Sequence, residues 1–170
     1  HYALMEDAGL WALACLYRAT EKVGRCPRQL LHITVFLGEK PKGGYRALAL
    51  FTSFYRLWSK ARKEVGAKWE AANARPYFAN AKGSSSTDVV WRQAMRNEKA
   101  ANDGEAAGSA YWDMRAFYET IVFKRLWTRA EASGFNMTIL AVALNMYMSA
   151  RHIGMDGMYL AGIFAELGVP

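Results

Sequence analysis

The sequence predicts an α+β fold in which helix dominates, and three observations carry that expectation. Two short runs rich in β-branched and aromatic residues, 31–37 and 45–50, flank a turn made of Gly, Pro and Lys. Several longer stretches repeat apolar residues with a helical period. A length of 170 residues with ordinary apolar and charged content suits a globular core and excludes bulk disorder.

Each element can be justified in order. Residues 3–23 read as a helix with Leu10, Leu13, Cys15, Leu16 and Tyr17 on a broad apolar face, ended by Gly24 and Pro27. Residues 31–37 (LHITVFL) read as a strand, 38–44 as a turn, and 45–50 as a returning strand, which puts Lys40 and Lys42 at the tip of a hairpin. From 52 to 73 the spacing of Phe54, Trp58, Ala61, Val65 and Trp69 predicts one continuous helix, with Arg56, Lys60 and Lys63 on its opposite face. Arg75-Pro76 ends it.

A polar run at 82–88 leads to a further helix capped by Ser86 or Thr87 and closed by Asn102, Asp103 and Gly104. Residues 106–112 (AAGSAYW) fit a short buried strand with Asp113 at its carboxyl end. Helical pattern resumes at Phe117, Tyr118 and Ile121, then at Leu126, Trp127 and Ala130, and again over 136–148. Residues 150–154 fit a strand edge, and 159–170 are ambiguous.

Charge is unevenly placed. The formal net charge is +7, yet residues 39–68 alone hold eight basic side chains against two acidic ones. The remaining 140 residues are nearly neutral. A local basic field beside a neutral body fits a polyanion partner such as nucleic acid, and fits a solvated helix face equally well. The longest apolar stretch, 137–148, is too short to span a membrane. Two cysteines, Cys15 and Cys26, suit a reducing compartment, and no secretory signal pattern opens the chain. The first residue is His1, as in a segment cut from a longer protein.

Familiar hydrolase and metal signatures are missing from the sequence. There is no Cys-x-x-Cys, no His-Glu-x-x-His and no His pair at ligand spacing among His1, His32 and His152. Gly38-x4-Gly43 is followed by Gly44 rather than Lys, so it is not a phosphate-binding loop. No Gly-x-Ser-x-Gly elbow occurs.

Four stretches, in order, carry a resemblance. Residues 35–50 (VFLGEKPKGGYRALAL) hold a lysine-bearing turn and then Tyr45-Arg46. Residues 54–60 (FYRLWSK) follow. Residues 77–88 (YFANAKGSSSTD) are similar to a Phe-x-x-Gly-x-Ser-x-x-Asp stretch, and 112–119 (WDMRAFYE) to a strand-end Asp followed five residues later by an aromatic and an acid. In this order the sequence resembles the reverse transcriptase domain of non-LTR retrotransposons over about residues 30–160. The layout of Leu126, Ser133-Gly134-Phe135, Leu140, Leu144, Tyr147 and Arg151 follows the same family.

The resemblance implies an RNA-directed DNA polymerase, with a fingers-like region and N-terminal helix over 1–105 and a partial palm over 106–170. It implies nucleotidyl transfer with two divalent ions, Mg²⁺ or Mn²⁺, held partly by the Asp113 carboxylate and the Met114 backbone carbonyl. It places Arg46 on the triphosphate, where a planar fork of donors suits phosphate oxygens, with Lys40 or Lys42 assisting. It puts Tyr118, beside Phe117, under the incoming sugar as the group excluding a 2′-hydroxyl. Arg56, Lys60 and Lys63 would then grip nucleic acid. The implied partners are an RNA template, a DNA primer and deoxynucleoside triphosphates, with no membrane, in an intracellular, nuclear setting.

The sequence departs from the family at Ala47, where a Pro usually follows the Arg, and contains no Asp-Asp pair. It therefore corresponds to a fragment or a degenerate copy, inactive alone. From residue pattern alone, Asp113 also fits a helix N-cap, Tyr118 a core aromatic, Arg46 an exposed strand residue and Glu119 a helix-start charge. Two other classes of function fit the composition: a non-catalytic basic nucleic-acid-binding module, and a helical protein-interaction domain with Trp-rich faces.

Overall fold

The computed structural model describes residues 4–75, 83, 85–110, 112, 117–155 and 158–168. The fold is α+β and helix-rich, as the periodicities indicate. It divides into two compact units, one made of 1–67 with 116–170 and the other of 68–115.

In the first unit, α1 (Asp7–Val23) ends at Gly24, whose φ of 71° is the left-handed conformation that lets its N–H cap the Thr20 and Glu21 carbonyls. Strands β1 (His32–Glu39) and β2 (Tyr45–Phe51) form the expected antiparallel hairpin. Its turn is closed by Lys40 N–H to the Gly44 carbonyl (3.0 Å) and Gly43 N–H to the Lys40 carbonyl (2.9 Å). Gly43 and Gly44 both have positive φ, 84° and 81°, which explains two adjacent glycines there.

Strand β3 (Ala150–Met155) pairs with β1 in parallel, and β4 (Met158–Tyr159) pairs with β3 antiparallel. The order is β2-β1-β3-β4, so β1 lies inside the sheet. Alternation along β1 buries Ile33 and Val35 on one face. Against that face pack Tyr17 of α1, Phe54, Tyr55 and Trp58 of α2 (Ser53–Ala61), and Val142 and Met146 of α6 (Met137–Tyr147). The α6 helix also buries Leu140 and Leu144, in keeping with a sequence that is apolar but for Thr138 and Asn145. Asn145 on α6 accepts the Cys26 N–H at 3.0 Å and so ties the α1–β1 connection down. Helix α5 (Phe123–Ala132) packs on α6.

Several expectations need correction. Of the apolar face expected for α1, Tyr17 is buried while Leu10, Cys15 and Leu16 are exposed. The segment 52–73 is not one helix: α2 stops at Arg62 and α3 (Lys63–Ala72) follows. The apolar stripe is buried only in α2; Ala61 and Val65 are exposed, α3 buries nothing, and Gly66 weakens it. Residues 106–110 and Trp112 form no strand, and all are exposed, Trp112 by 88%. Ala, Gly and Ser have little strand preference. The segment instead runs beside α4 (Ser86–Asn102), where Ser109 Oγ accepts a hydrogen bond from Gln93 Nε2 at 2.8 Å. Phe117, Tyr118 and Ile121 do not start an α-helix; Tyr118–Thr120 is one 3-10 turn.

In the second unit the cap of α4 is Ser85, one residue ahead of the expected position. Asp88 N–H donates to its hydroxyl at 3.3 Å, and the Asp88 carboxylate accepts the Ser85 N–H at 2.6 Å.

Candidate functional site

The hairpin brings three of the implied phosphate-binding cations onto one short element. Lys40 and Lys42 are exposed in the turn, and Arg46 is exposed on β2. Arg46 stands opposite Gly38, a position without a side chain to crowd its stem. Strand alternation puts Arg46 on the sheet face opposite the core, together with Phe36, Leu48 and Leu50, which are all partly open to solvent. Ala47, where the family usually has Pro, pairs with Leu37 inside an unbroken ladder. A Pro there would remove one N–H, and the alanine keeps it.

Arg56 and Lys60 on α2 and Lys63 at the start of α3 are exposed. Among the described residues none of the three forms an ion pair. On α2, Arg56 and Lys60 lie away from buried Phe54 and Trp58, the division that helical spacing predicts. Arg62, counted in the same basic cluster, is different. Its Nη2 donates to Glu21 Oε2 at 2.9 Å and its Nε to Glu21 Oε1, so its charge is already matched.

Phe117 and Tyr118 are half and mostly exposed, at 48% and 64%. Their rings meet edge to face, with centroids 5.4 Å apart. Tyr118 is therefore not a core aromatic. Thr120 holds the turn by donating its N–H and its hydroxyl to the Phe117 carbonyl, at 3.3 and 3.0 Å. No described hydrogen bond or ring contact joins Tyr118 to the hairpin cations.

Asp113 and Met114 lie outside the described residues, as does most of the stretch 77–88. Among the described residues no group of three or more His, Cys, Asp or Glu is placed to hold a metal ion. No described helix is long and apolar enough to cross a membrane.

Sequence reasoning missed two connections. One is the Glu21 carboxylate, which also accepts the Trp58 indole N–H at 2.8 Å. The other joins Arg151 to Gly168, whose carbonyl accepts from the guanidinium Nη2 at 3.1 Å. Both link residues far apart in the chain. Neither has a local sequence signature, beyond Gly168 standing two residues before a proline.

No protein-family model matches the chain, and no curated protein matches it in sequence.

Proposed function

We propose that this chain is the fingers and first palm part, a fragment or degenerate copy inactive alone, of an RNA-directed DNA polymerase whose partners are an RNA template, a DNA primer and deoxynucleoside triphosphates, in the nucleus. The observation that supports this reading best is the β1–β2 hairpin, with exposed Lys40 and Lys42 at a glycine-closed tip and exposed Arg46 on the following strand. Three cations on a rigid two-stranded element suit a triphosphate: the lysines act as point charges and the arginine as a bidentate fork. The exposure of Tyr118 leaves its ring free to meet a nucleotide sugar. Asp113 is the proposed catalytic carboxylate, with Met114 beside it.

The test is steady-state primer extension by the polymerase-length protein that contains this chain. Arg46→Ala should raise the KM for deoxynucleoside triphosphate about tenfold or more, the scale of a lost charge-assisted contact. Affinity for the primer–template should stay unchanged. An unchanged KM would remove the hairpin from the nucleotide site.

A second reading is a basic nucleic-acid-binding module without chemistry. The unpaired, exposed Arg56, Lys60 and Lys63 favour it, and it needs neither Asp113 nor Tyr118.

A further inference from the structure

We propose that Arg151 and Gly168 are positioning residues that hold the Tyr118 turn in register with the sheet carrying Arg46. The inference rests on the polymerase reading for what Tyr118 does.

Arg151 grips the C-terminal segment twice. Its backbone N–H donates to the Ile163 carbonyl at 2.8 Å and its carbonyl accepts the Ile163 N–H at 2.9 Å. Its guanidinium Nη2 reaches the Gly168 carbonyl at 3.1 Å. One residue thus closes both ends of 163–168. Arg151 itself is fixed by its place in β3, opposite Ile33 of the inner strand β1.

Gly168 passes that constraint on. Its N–H donates to the Ile121 carbonyl at 3.0 Å. Its Cα lies so close to the turn that an added Cβ would stand 2.7 Å from both the Cα and the carbonyl oxygen of Glu119. Its φ of +86° is a conformation that other residues adopt only with strain. Two independent requirements, space and dihedral angle, therefore demand glycine at 168.

The Tyr118–Thr120 turn buries none of its own side chains. An exposed turn without interior anchors is located by its backbone contacts. Among the described residues, a backbone contact that crosses to the rest of the unit at this point is with Gly168. Since β1 pairs with β3 on one side and with β2 on the other, the same strand references both Arg151 and Arg46. The sheet thereby becomes the common frame for the triphosphate cation and the sugar-facing ring. Loosening Arg151 or Gly168 shifts that ring without touching any nucleotide contact.

The test compares Gly168→Ala, Arg151→Met and Arg151→Lys with wild type in the polymerase-length protein. The readout is the ratio of kcat/KM for deoxy- over ribonucleotides. Gly134→Ala serves as control, because Gly134 also has positive φ (68°) but open space around it. The expected result is a loss of about tenfold in the ratio for Gly168→Ala and Arg151→Met, the scale of a small misplacement of a positioned group. Arg151→Lys should recover part of it, and Gly134→Ala should leave it unmoved. A merely structural staple would lower extension of both nucleotides together and keep the ratio. An unchanged ratio in both Gly168→Ala and Arg151→Met, or an equal change in Gly134→Ala, overturns the positioning role. If Gly168→Ala does not fold, the Arg151 pair carries the comparison. A wild-type protein that extends no primer overturns the polymerase reading itself, and the role of these residues with it.

Discussion

Glu21 and Arg62, 41 positions apart, form a two-point ion pair that fastens the end of α1 to the break between α2 and α3. An acid in the last turn of a helix faces the negative end of the helix dipole. Here the Arg62 guanidinium and the Trp58 indole N–H offset that placement. The pair also explains why the basic cluster over 39–68 carries less free charge than its composition suggests.

Stability should therefore fall in acid partly through Glu21. Burial pushes its carboxyl up, but hydrogen bonds from Arg62 and Trp58, with the Arg62 charge, outweigh burial and hold it below the usual carboxylate range. A lowered folded value means that its stabilisation is complete above the unfolded pKa, about 4.3, and disappears as pH drops through the folded value. At neutral pH, Glu21→Gln should cost roughly 1 kcal/mol in urea unfolding, since the Arg62 side chain is 36% exposed and solvent screens the pair. The variant should lose less stability than wild type between neutral pH and pH ~3. Parallel pH profiles for the two proteins would exclude Glu21 as a contributor.

The cysteines should separate cleanly by reactivity. Cys15 is exposed, while Cys26 is buried and burial pushes its thiol up to about 11. The thiolate is the reactive form, so at mildly alkaline pH one equivalent of a thiol reagent should react quickly and the second only with unfolding. Mass spectrometry of Cys15→Ser should then find almost no fast labelling. Rapid modification of Cys26 in that variant would show that the α1–β1 connection opens readily.

The hairpin, α1 and α6 were legible in the sequence because each has a local signature: paired strands around a glycine turn, a glycine stop, a largely apolar run. Strand β3 was legible only as a strand edge, whereas it lies between β1 and β4. The segment 106–112 was misread because small residues beside aromatics look buried when only composition is considered. No strand is available to pair with it within its own unit, among the described residues. The break at Arg62 was hidden for another reason. Its side chain finds a partner on α1, and helical spacing alone carries no information about a contact 41 residues away. Of the candidate site, the exposure of Lys40, Lys42, Arg46, Arg56, Lys60 and Lys63 followed from strand and helix periodicity. The exposure of Tyr118 did not, because the helical pattern around it is replaced by a 3-10 turn that buries none of its side chains.

Nucleic-acid affinity should depend on Lys60 and Lys63. Both are exposed, Lys60 on the α2 face away from Trp58 and Lys63 at the start of α3, and neither is neutralised by a described acid. Each phosphate contact releases condensed counterions, so log affinity falls linearly with log salt, with a slope near −0.7 per contact on single strands. Lys60→Glu/Lys63→Glu should weaken binding to unrelated sequences equally and flatten that slope by roughly 1–2 units. Anisotropy titrations across a salt series read both quantities. An unaltered slope would return these lysines to the solvated surface and leave the hairpin as the remaining basic element.

If the chain is part of the proposed polymerase, Asp113 and Tyr118 should fail in different ways when altered in that longer protein. Asp113→Asn keeps the size of the side chain and removes its charge. If this carboxylate serves the reaction, extension should drop by several orders of magnitude while primer–template affinity stays within about twofold, because charged groups at a reacting centre act on the transition state more than on binding. Tyr118→Ala removes an exposed ring that contributes little to the core, so thermal stability should change by no more than about 0.5 kcal/mol. Its effect should appear in nucleotide choice: ribonucleotides should be accepted more readily, with deoxynucleotide extension retained. Misfolding would produce the same loss in both variants, with lowered melting temperatures, and so is separable from the catalytic reading. Full extension by Asp113→Asn would end that reading. Unchanged selectivity in Tyr118→Ala would leave the ring as surface.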